Sequence, residues 1–457
     1  MPYVEGFGTW PFGEEWLWEA MVGCYLPLLD LLDRDPAVTL SLTPVLCDQL
    51  QAPGISERFE SFIGDVRRTT HREDIEGMRA AGHLELAREL ERSWGEYEAA
   101  LGRFRRRGGN LLEGFSGHTQ WTSAATHAIL PLLVTEAGAR LQVMTGVRAH
   151  RARFSDRWRG GFWLPECAYE PWLQRVLLDA GVRAVCVELT ARFGEGADEH
   201  LRPLQSESGL VLVPIDRATM SLVWSDDGYP AAGAYRDYHH HTLRHHTPWA
   251  NDGSPYEHER ALALAREHAA DFVARTIARL GSGPGADGGL VVCALDTELL
   301  GHWWYEGLAW LEAVIEECSR QGLELVRLDD ALERIDPAVL VGAEQWAASS
   351  WGAGGDLSTW SGPAVAEMAF AARACELSVL AAGTGAGRTA ARELLALQAS
   401  DWAFMVSRAQ AEPYARTRFA AHRSALAAAL RAGPDAGAEG LGGLAMYADL
   451  QALEMID

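Results

Sequence analysis

The sequence lacks any pair of cysteines in C-x-x-C spacing. Its seven cysteines, at 24, 47, 167, 186, 293, 318 and 375, are odd in number and widely scattered. That pattern argues against a disulfide scaffold or a cysteine-based zinc site and fits a reduced, cytoplasmic protein with buried thiols. Also missing is an apolar run of the roughly 18–20 residues that a membrane span requires. The N-terminus, MPYVEGFGTW, has no basic start followed by an apolar stretch, so no secretory signal is read there. Basic residues are scarce: 40 Lys plus Arg face 63 Asp plus Glu, a net charge of −23. Such a balance repels phosphate backbones and anionic lipid, so neither nucleic acid nor a membrane is an expected partner. A neutral ligand meets no such barrier.

What the sequence has in excess is tryptophan, 17 residues of 457. Flat indole faces suit the apolar faces of pyranose rings, although any single Trp serves equally well as core. The length fits one large α/β barrel with an appendage, or two to three domains. Residues 14–33 carry apolar positions at helical spacing, and 56–107 form a charged helical stretch ending in RFRRRGG. Strands are expected at 37–46, 118–127, 161–166, 182–188, 210–217, 289–298 and 323–332. A helix should follow the third, with Pro171 in its first turn and Gly181 past its end. Strands alternating with helices predict a parallel sheet, as a barrel or a doubly wound sheet. After about residue 362 the chain turns Ala-, Leu- and Arg-rich without strand signal, a C-terminal helical region, with 432–443 as a link to a last short helix.

In a parallel barrel the chemistry sits at the C-terminal ends of the strands. Three expected strands end in acids: Glu166, Glu188 and Asp296. Two carboxylates facing one substrate are what glycosidic cleavage requires, one giving a proton and one, ionised, attacking or activating water. Leu299, Leu300, Trp303 and Trp304 follow Asp296, and apolar neighbours would keep its carboxyl protonated. Read from spacing alone, all three acids fit solvated loop positions as well. Glu298 is a rival of Asp296. Glu170 reads as a helix cap and Cys167 as small filler.

The run DYHHHTLRHH holds five histidines between 239 and 246. Adjacent histidines fan outward rather than converge, so a mobile polar loop is expected there rather than a metal site. GSGPGADGG lacks the Lys and Ser/Thr of a phosphate loop and reads as a linker. SSWGAGGDLSTW (349–360) reads either as a turn anchored by Trp351 and Trp360 or as a substrate wall.

GFWLPECAY and LDTELLGHWWYEG resemble the nucleophile and acid/base motifs of glycoside hydrolase family 57, and within it the 1,4-α-glucan branching enzymes. SAATHAILPLL (123–133), VWSDDGYP (223–230), SSWGAGG (349–355) and LQASDWAFMVSRAQAEPYARTRFAAH (397–422) are similar to that group in the same order. The resemblance implies an α/β fold: an incomplete (β/α)7 barrel with inserted helices (about 50–110) over residues 1–335, and a C-terminal all-α domain over 336–457. It implies a retaining double displacement on an α-1,4-glucan that forms α-1,6 bonds, with no metal and no organic cofactor. By position it assigns Glu166 as nucleophile and Asp296 as acid/base. His127, Trp163, His302, Trp304, Trp351 and Trp402 match positions that line or support the glucan site, and Trp360 joins them from the reading of 349–360.

Three departures are expected to matter. The family's first strand ends in a His-x-His-x-Pro type motif, and a chain beginning MPYVEG is read as missing it. Gln120 stands where a Glu is expected. The segment after GYP reads as short, with Tyr235 the candidate for the tyrosine of a loop over the site. The shortened loop and absent strand leave room for a hydrolase or 4-α-glucanotransferase, or for a catalytically weak glucan-binding protein.

Overall fold

The computed structural model describes residues 3–4, 13–154, 158–281, 289–342, 345–434 and 443–454. Its centre is a sheet of seven short strands: β1 (Leu40–Ser41), β2 (Thr119–Ser123), β3 (Gly161–Trp163), β4 (Ala184–Val187), β5 (Leu204–Gln205), β6 (Val211–Pro214) and β7 (Ala338–Val339). Their order is β1-β2-β3-β4-β6-β5-β7. All pairs are parallel except β5 with β6.

The two-residue period of a strand divides its side chains between two faces. In β4, Ala184 and Cys186 join Trp121, Val213 and Ile215 in one cluster, while Val185 and Val187 join Phe162, Leu173 and Leu177 in another. Trp121 fills the first cluster so completely that a Cβ on Gly161 would collide with its indole. The indole N–H is satisfied by Asp329 Oδ1 at 2.7 Å.

Helices cover the rest. Glu14–Ala20, a π-helical turn at Met21–Tyr25 and Leu26–Leu32 form one continuous rod. Its apolar face packs on Phe59, Phe62 and Phe104 from the inserted helices. Ile55–Ser61, Arg68–Ala80 and Leu84–Arg106 make up that insertion. The C-terminal helices Ala366–Ala382, Gly387–Leu397, Ser400–Ser407 and Glu412–Ala432 bury Trp402 and Phe419 in one cluster and Leu394 in another that they share with Val45, Ala125 and Leu141. Glu376 docks this domain, accepting from the backbone N–H groups of Val134 (3.2 Å) and Thr135 (3.0 Å).

Two expected strands are not strands. Residues 289–295 form no ladder among the described residues; backbone bonds from Asp216 N to Val292 O (2.9 Å) and from Leu290 N to Leu201 O (2.8 Å) tie them down. Their apolar residues pack on the Trp121 cluster, so hydrophobicity there reported burial rather than pairing. In 323–332 a helix begins at Leu328, with Asp329 and Asp330 favouring its N-terminus. The first expected strand is also cut short, because Pro44 opens the helix Pro44–Leu50. Two-residue strands β5 and β7 take the vacated places in the sheet. Most of GSGPGADGG (282–288) and most of the 432–443 link (435–442) lie outside the described residues.

Candidate active site

Glu166 lies just past β3, in a tight turn where it and Cys167 have φ of 59° and 50°. His127, past β2, has φ of 58°. Left-handed backbone is costly for residues with a Cβ and persists only where surroundings enforce it, commonly at functional sites. The enforcement is visible. Trp351 donates its backbone N–H to Glu166 O (3.0 Å) and its indole N–H to Glu166 Oε2 (2.5 Å). Trp163 packs against Trp351 with ring centroids 5.1 Å apart. Cys167 is fully buried under the turn, and burial pushes its thiol well up, which keeps it neutral filler.

His127 Nδ1 stands 3.8 Å from Glu166 Oε1 and 2.9 Å from Ser400 Oγ. Burial lowers its pKa to about 4, so at neutral pH it is an uncharged hydrogen-bonding group rather than an ion-pair partner. Asp296 opens the turn Thr297–Leu299. Burial raises Glu166 to about 8, with the Asp296 charge adding to the rise. Burial also raises Asp296 to about 7, with Glu298 next. The expected rise at Asp296 is present, but Glu166 rises further, the reverse of the order that an ionised nucleophile and a protonated acid require; the two carboxyls share a site that disfavours two charges, and the titration belongs to the pair rather than to either residue. The indole donor of Trp351 favours charge on Glu166.

The neighbouring acids are spoken for. Glu298 Oε1 accepts from Tyr25 OH at 2.5 Å, which pins the loop after Asp296 to the π-helical turn. Glu188 is buried and pairs with Arg217 Nε at 3.0 Å. Glu170 does not cap the following helix, Leu173–Asp179, through its side chain; its Oε2 accepts the Trp172 indole N–H at 2.8 Å. Gln120 Oε1 takes the backbone N–H of Leu40 (2.9 Å), tying β1 to β2.

Among the aromatic candidates, Trp163 and Trp351 flank Glu166. His302 is half-buried, its ring 5.9 Å from that of Tyr238. Trp304 and Tyr235 lie in a core cluster with Val223, Phe272 and Trp310. Both are buried, their rings 5.6 Å apart, and Tyr235 OH bonds His268 Nδ1 at 2.8 Å. The tyrosine of that segment that reaches the surface is Tyr238, 41% exposed. Trp360 is buried behind Gly352 and supports the Trp351 turn from below. Trp402 is buried in the C-terminal core, its indole N–H on Ala396 O (2.9 Å). The histidine run is tied down rather than loose: His246 Nδ1 meets Asp74 Oδ2 at 2.7 Å, and His240 stacks on Trp249 at 4.0 Å. Among the described residues no group of three or more His, Cys, Asp or Glu is placed to hold a metal.

Sequence reasoning missed Ser400, Asp401, Arg217 and Tyr25. Asp401 acts electrostatically on His127, Glu166 and Asp296 together. Ser400 and Asp401 fall within the 397–422 stretch whose resemblance is noted above, and that stretch was the available signal.

Residues 119–344 match the model of glycosyl hydrolase family 57, and 365–435 match that of the 1,4-alpha-glucan branching enzyme C-terminal region. A probable 1,4-alpha-glucan branching enzyme of Mycobacterium tuberculosis is 30% identical, over 95% of this chain and 91% of that protein. The chain belongs to glycosyl hydrolase family 57. The crystal structure of a family 57 branching enzyme from Pyrococcus horikoshii superposes with a TM-score of 0.84 at 30% identity, covering 92% of this chain and 86% of that one. The α-amylase AmyC of Thermotoga maritima shares the fold at 24% identity and a TM-score of 0.76, covering 99% and 95%. In this family 57 chain the two matched regions meet at the carboxylate pair, since His127 and Glu166 come from the first and Ser400 and Asp401 from the second.

Proposed function

We propose that the protein is a 1,4-alpha-glucan branching enzyme acting by retaining double displacement. The observation that carries this reading is the completion of the site by the helix Ser400–Ser407, which lies in the branching-enzyme C-terminal match. Ser400 holds His127, and Asp401 acts on His127, Glu166 and Asp296.

In the proposed sequence, a Glu166 carboxylate oxygen attacks the anomeric carbon of an α-1,4-linked glucose. Asp296 gives its proton to the departing O4, leaving a glycosyl-enzyme ester. Asp296, now ionised, takes the proton of an acceptor 6-hydroxyl, whose oxygen displaces Glu166 and forms the α-1,6 bond. Both carboxyls return to their starting states. Trp163 and Trp351 offer apolar faces to the sugar, and His302 and Tyr238 border the cleft. Trp304, Trp360, Trp402 and Tyr235 act from behind as support. No organic or metal cofactor is assigned. The catalytic unit is read to run through β7, slightly past residue 335, with the C-terminal helical domain after it, and the protein is placed in the cytoplasm.

Incubation with amylose followed by proton NMR tests the reading. New α-1,6 anomeric signals at near-constant reducing ends are expected. Reducing ends rising without α-1,6 signals would instead mark a hydrolase, short maltodextrins disproportionating without branches a 4-α-glucanotransferase, and binding without turnover a glucan-binding protein.

A further inference from the structure

Glu188 is one of three acids that the strand pattern singles out, yet the chemistry above leaves it unused. It is nearly fully buried at the end of β4, where a lone carboxylate would be costly. Arg217 meets it, Nε to Glu188 Oε2 at 3.0 Å, and Glu188 Oε1 also accepts the backbone N–H of Thr190 at 2.6 Å. Arg217 is the first residue of the helix Arg217–Trp224, launched directly from β6 and capped by Asp216. Its other nitrogen, Nη2, donates to the carbonyl oxygen of Trp351 at 3.0 Å. Trp351 in turn makes both hydrogen bonds to Glu166.

These contacts form one path: Glu188, Arg217, Trp351, Glu166. We infer that Arg217 is a positioning residue, clamped by Glu188, that holds Trp351 in register so that its indole N–H points at the Glu166 carboxylate. The inference rests on Glu166 being the nucleophile.

The fork of a guanidinium suits this task. Arg217 sets Nε against the Glu188 carboxylate as an ion-pair contact rather than a hydrogen bond, and donates Nη2 to the Trp351 carbonyl, so its planarity fixes the angle between charge and donor. An ammonium on a flexible stem keeps the charge but not that geometry. The Glu188–Arg217 pair is neutral overall, so its influence on Glu166 is geometric. A shift of about 1 Å of a catalytic group is enough to lower a rate by about 10²-fold.

The test is a double-mutant cycle of Arg217→Gln and Trp351→Phe, with Arg217→Lys and Glu188→Gln alongside, assayed on maltooligosaccharide. Arg217→Gln is expected to lower kcat about 10²-fold with KM within about twofold. Arg217→Lys, which keeps the pair neutral, should move the acid limb of kcat/KM to higher pH, because a donor to the ionised carboxylate is lost. The groups facing Glu166, namely His127, Asp296 and Asp401, are unchanged in these variants. Arg217→Lys should recover only part of the rate. The double variant should be no slower than Trp351→Phe alone.

Additive losses in the cycle, a raised KM with kcat kept, or a rate loss with an unmoved pH limb would each overturn the proposal. If Arg217→Gln does not fold, Glu188→Gln carries the kcat and KM measurements, and Arg217→Lys carries the pH limb. Glu166→Gln is assayed in parallel. Wild-type turnover in that variant would overturn the nucleophile assignment itself, whereas failure of the cycle alone would remove only the positioning role.

Discussion

Gly23 and Gly301 meet backbone to backbone. A Cβ at Gly23 would lie 2.6 Å from the carbonyl oxygen of Gly301, and one at Gly301, where φ is +100°, would lie closer still to that of Gly23. The π-helical turn and the loop after Asp296 are therefore pressed together. Cys24 Sγ to Thr297 O (3.0 Å) and Tyr25 to Glu298 lock the contact. Gly23→Ala must push that loop outward and Asp296 with it. The expected result is a loss of about 1–3 kcal/mol in stability and at least about a tenfold fall in kcat, read by denaturant unfolding and steady-state kinetics. Wild-type kinetics in a folded Gly23→Ala protein would show that the contact does not position Asp296.

Glu166→Gln should abolish transfer by about 10³-fold or more while preserving the fold, since the amide keeps the size of the carboxylate but cannot form the ester. Asp296→Asn should be nearly as slow on glucan. It should recover on a donor such as an α-glucosyl fluoride, whose leaving group needs no proton. Equal loss on both donors would remove Asp296 from the acid role.

The carboxyl pair predicts a pH response with a definite sign. The acid limb of kcat/KM should reflect ionisation of Glu166, raised by burial and then by Asp296. With the fluoride donor, Asp296→Asn removes that neighbouring charge, so the limb should move to lower pH. Stability carries the same signature. Glu166 and Asp296, at about 8 and about 7, bind protons more tightly in the folded chain than in the unfolded one. The stability they contribute is full below about pH 4 and lost as pH rises to about 8. Glu15, raised to about 8 mainly by burial, adds in the same sense. Glu166→Gln should thus raise Tm relative to wild type more at pH 8 than at pH 5.

Tyr238 and Tyr235 separate a cleft role from a core role. Tyr238→Ala should raise KM several-fold and leave Tm nearly unchanged. Tyr235→Phe should leave KM unchanged and cost about 1 kcal/mol through the lost bond to His268. Chevron or equilibrium unfolding beside Michaelis curves distinguishes the two, and the reverse pattern would return Tyr235 to the site.

Glu376 should matter for domain docking rather than chemistry. Glu376→Ala strips the buried N–H groups of Val134 and Thr135 of their acceptor, costing about 2–4 kcal/mol. Glu376→Gln, which keeps an acceptor oxygen, should recover about half. Urea unfolding of the three proteins provides the comparison.

The residues of GFWLPE and LDTE made the two acids legible without coordinates, because a strand end, an acid and aromatic neighbours lie next to one another in sequence. The helical C-terminal region was legible for a similar reason: its composition is local. The strand expected at 289–298 was misread because an apolar run records that a segment is buried, not whether its backbone finds a ladder. The two-residue strands β5 and β7 carry too little pattern to be seen at all.

The amino-acid order by itself determined the class of chemistry available: an acidic, tryptophan-rich α/β chain with carboxylates at strand ends. Only the tertiary structure decided which groups work together. Ser400 reaches His127 across 273 residues of sequence, and Trp351 reaches Glu166 across 185. Tertiary burial also decided that Tyr235, Trp304 and Trp402 are core rather than wall. The reason is physical: propensity and periodicity act over a few residues, whereas desolvation, hydrogen-bond partners and the shift of a pKa depend on what the whole chain packs around a side chain.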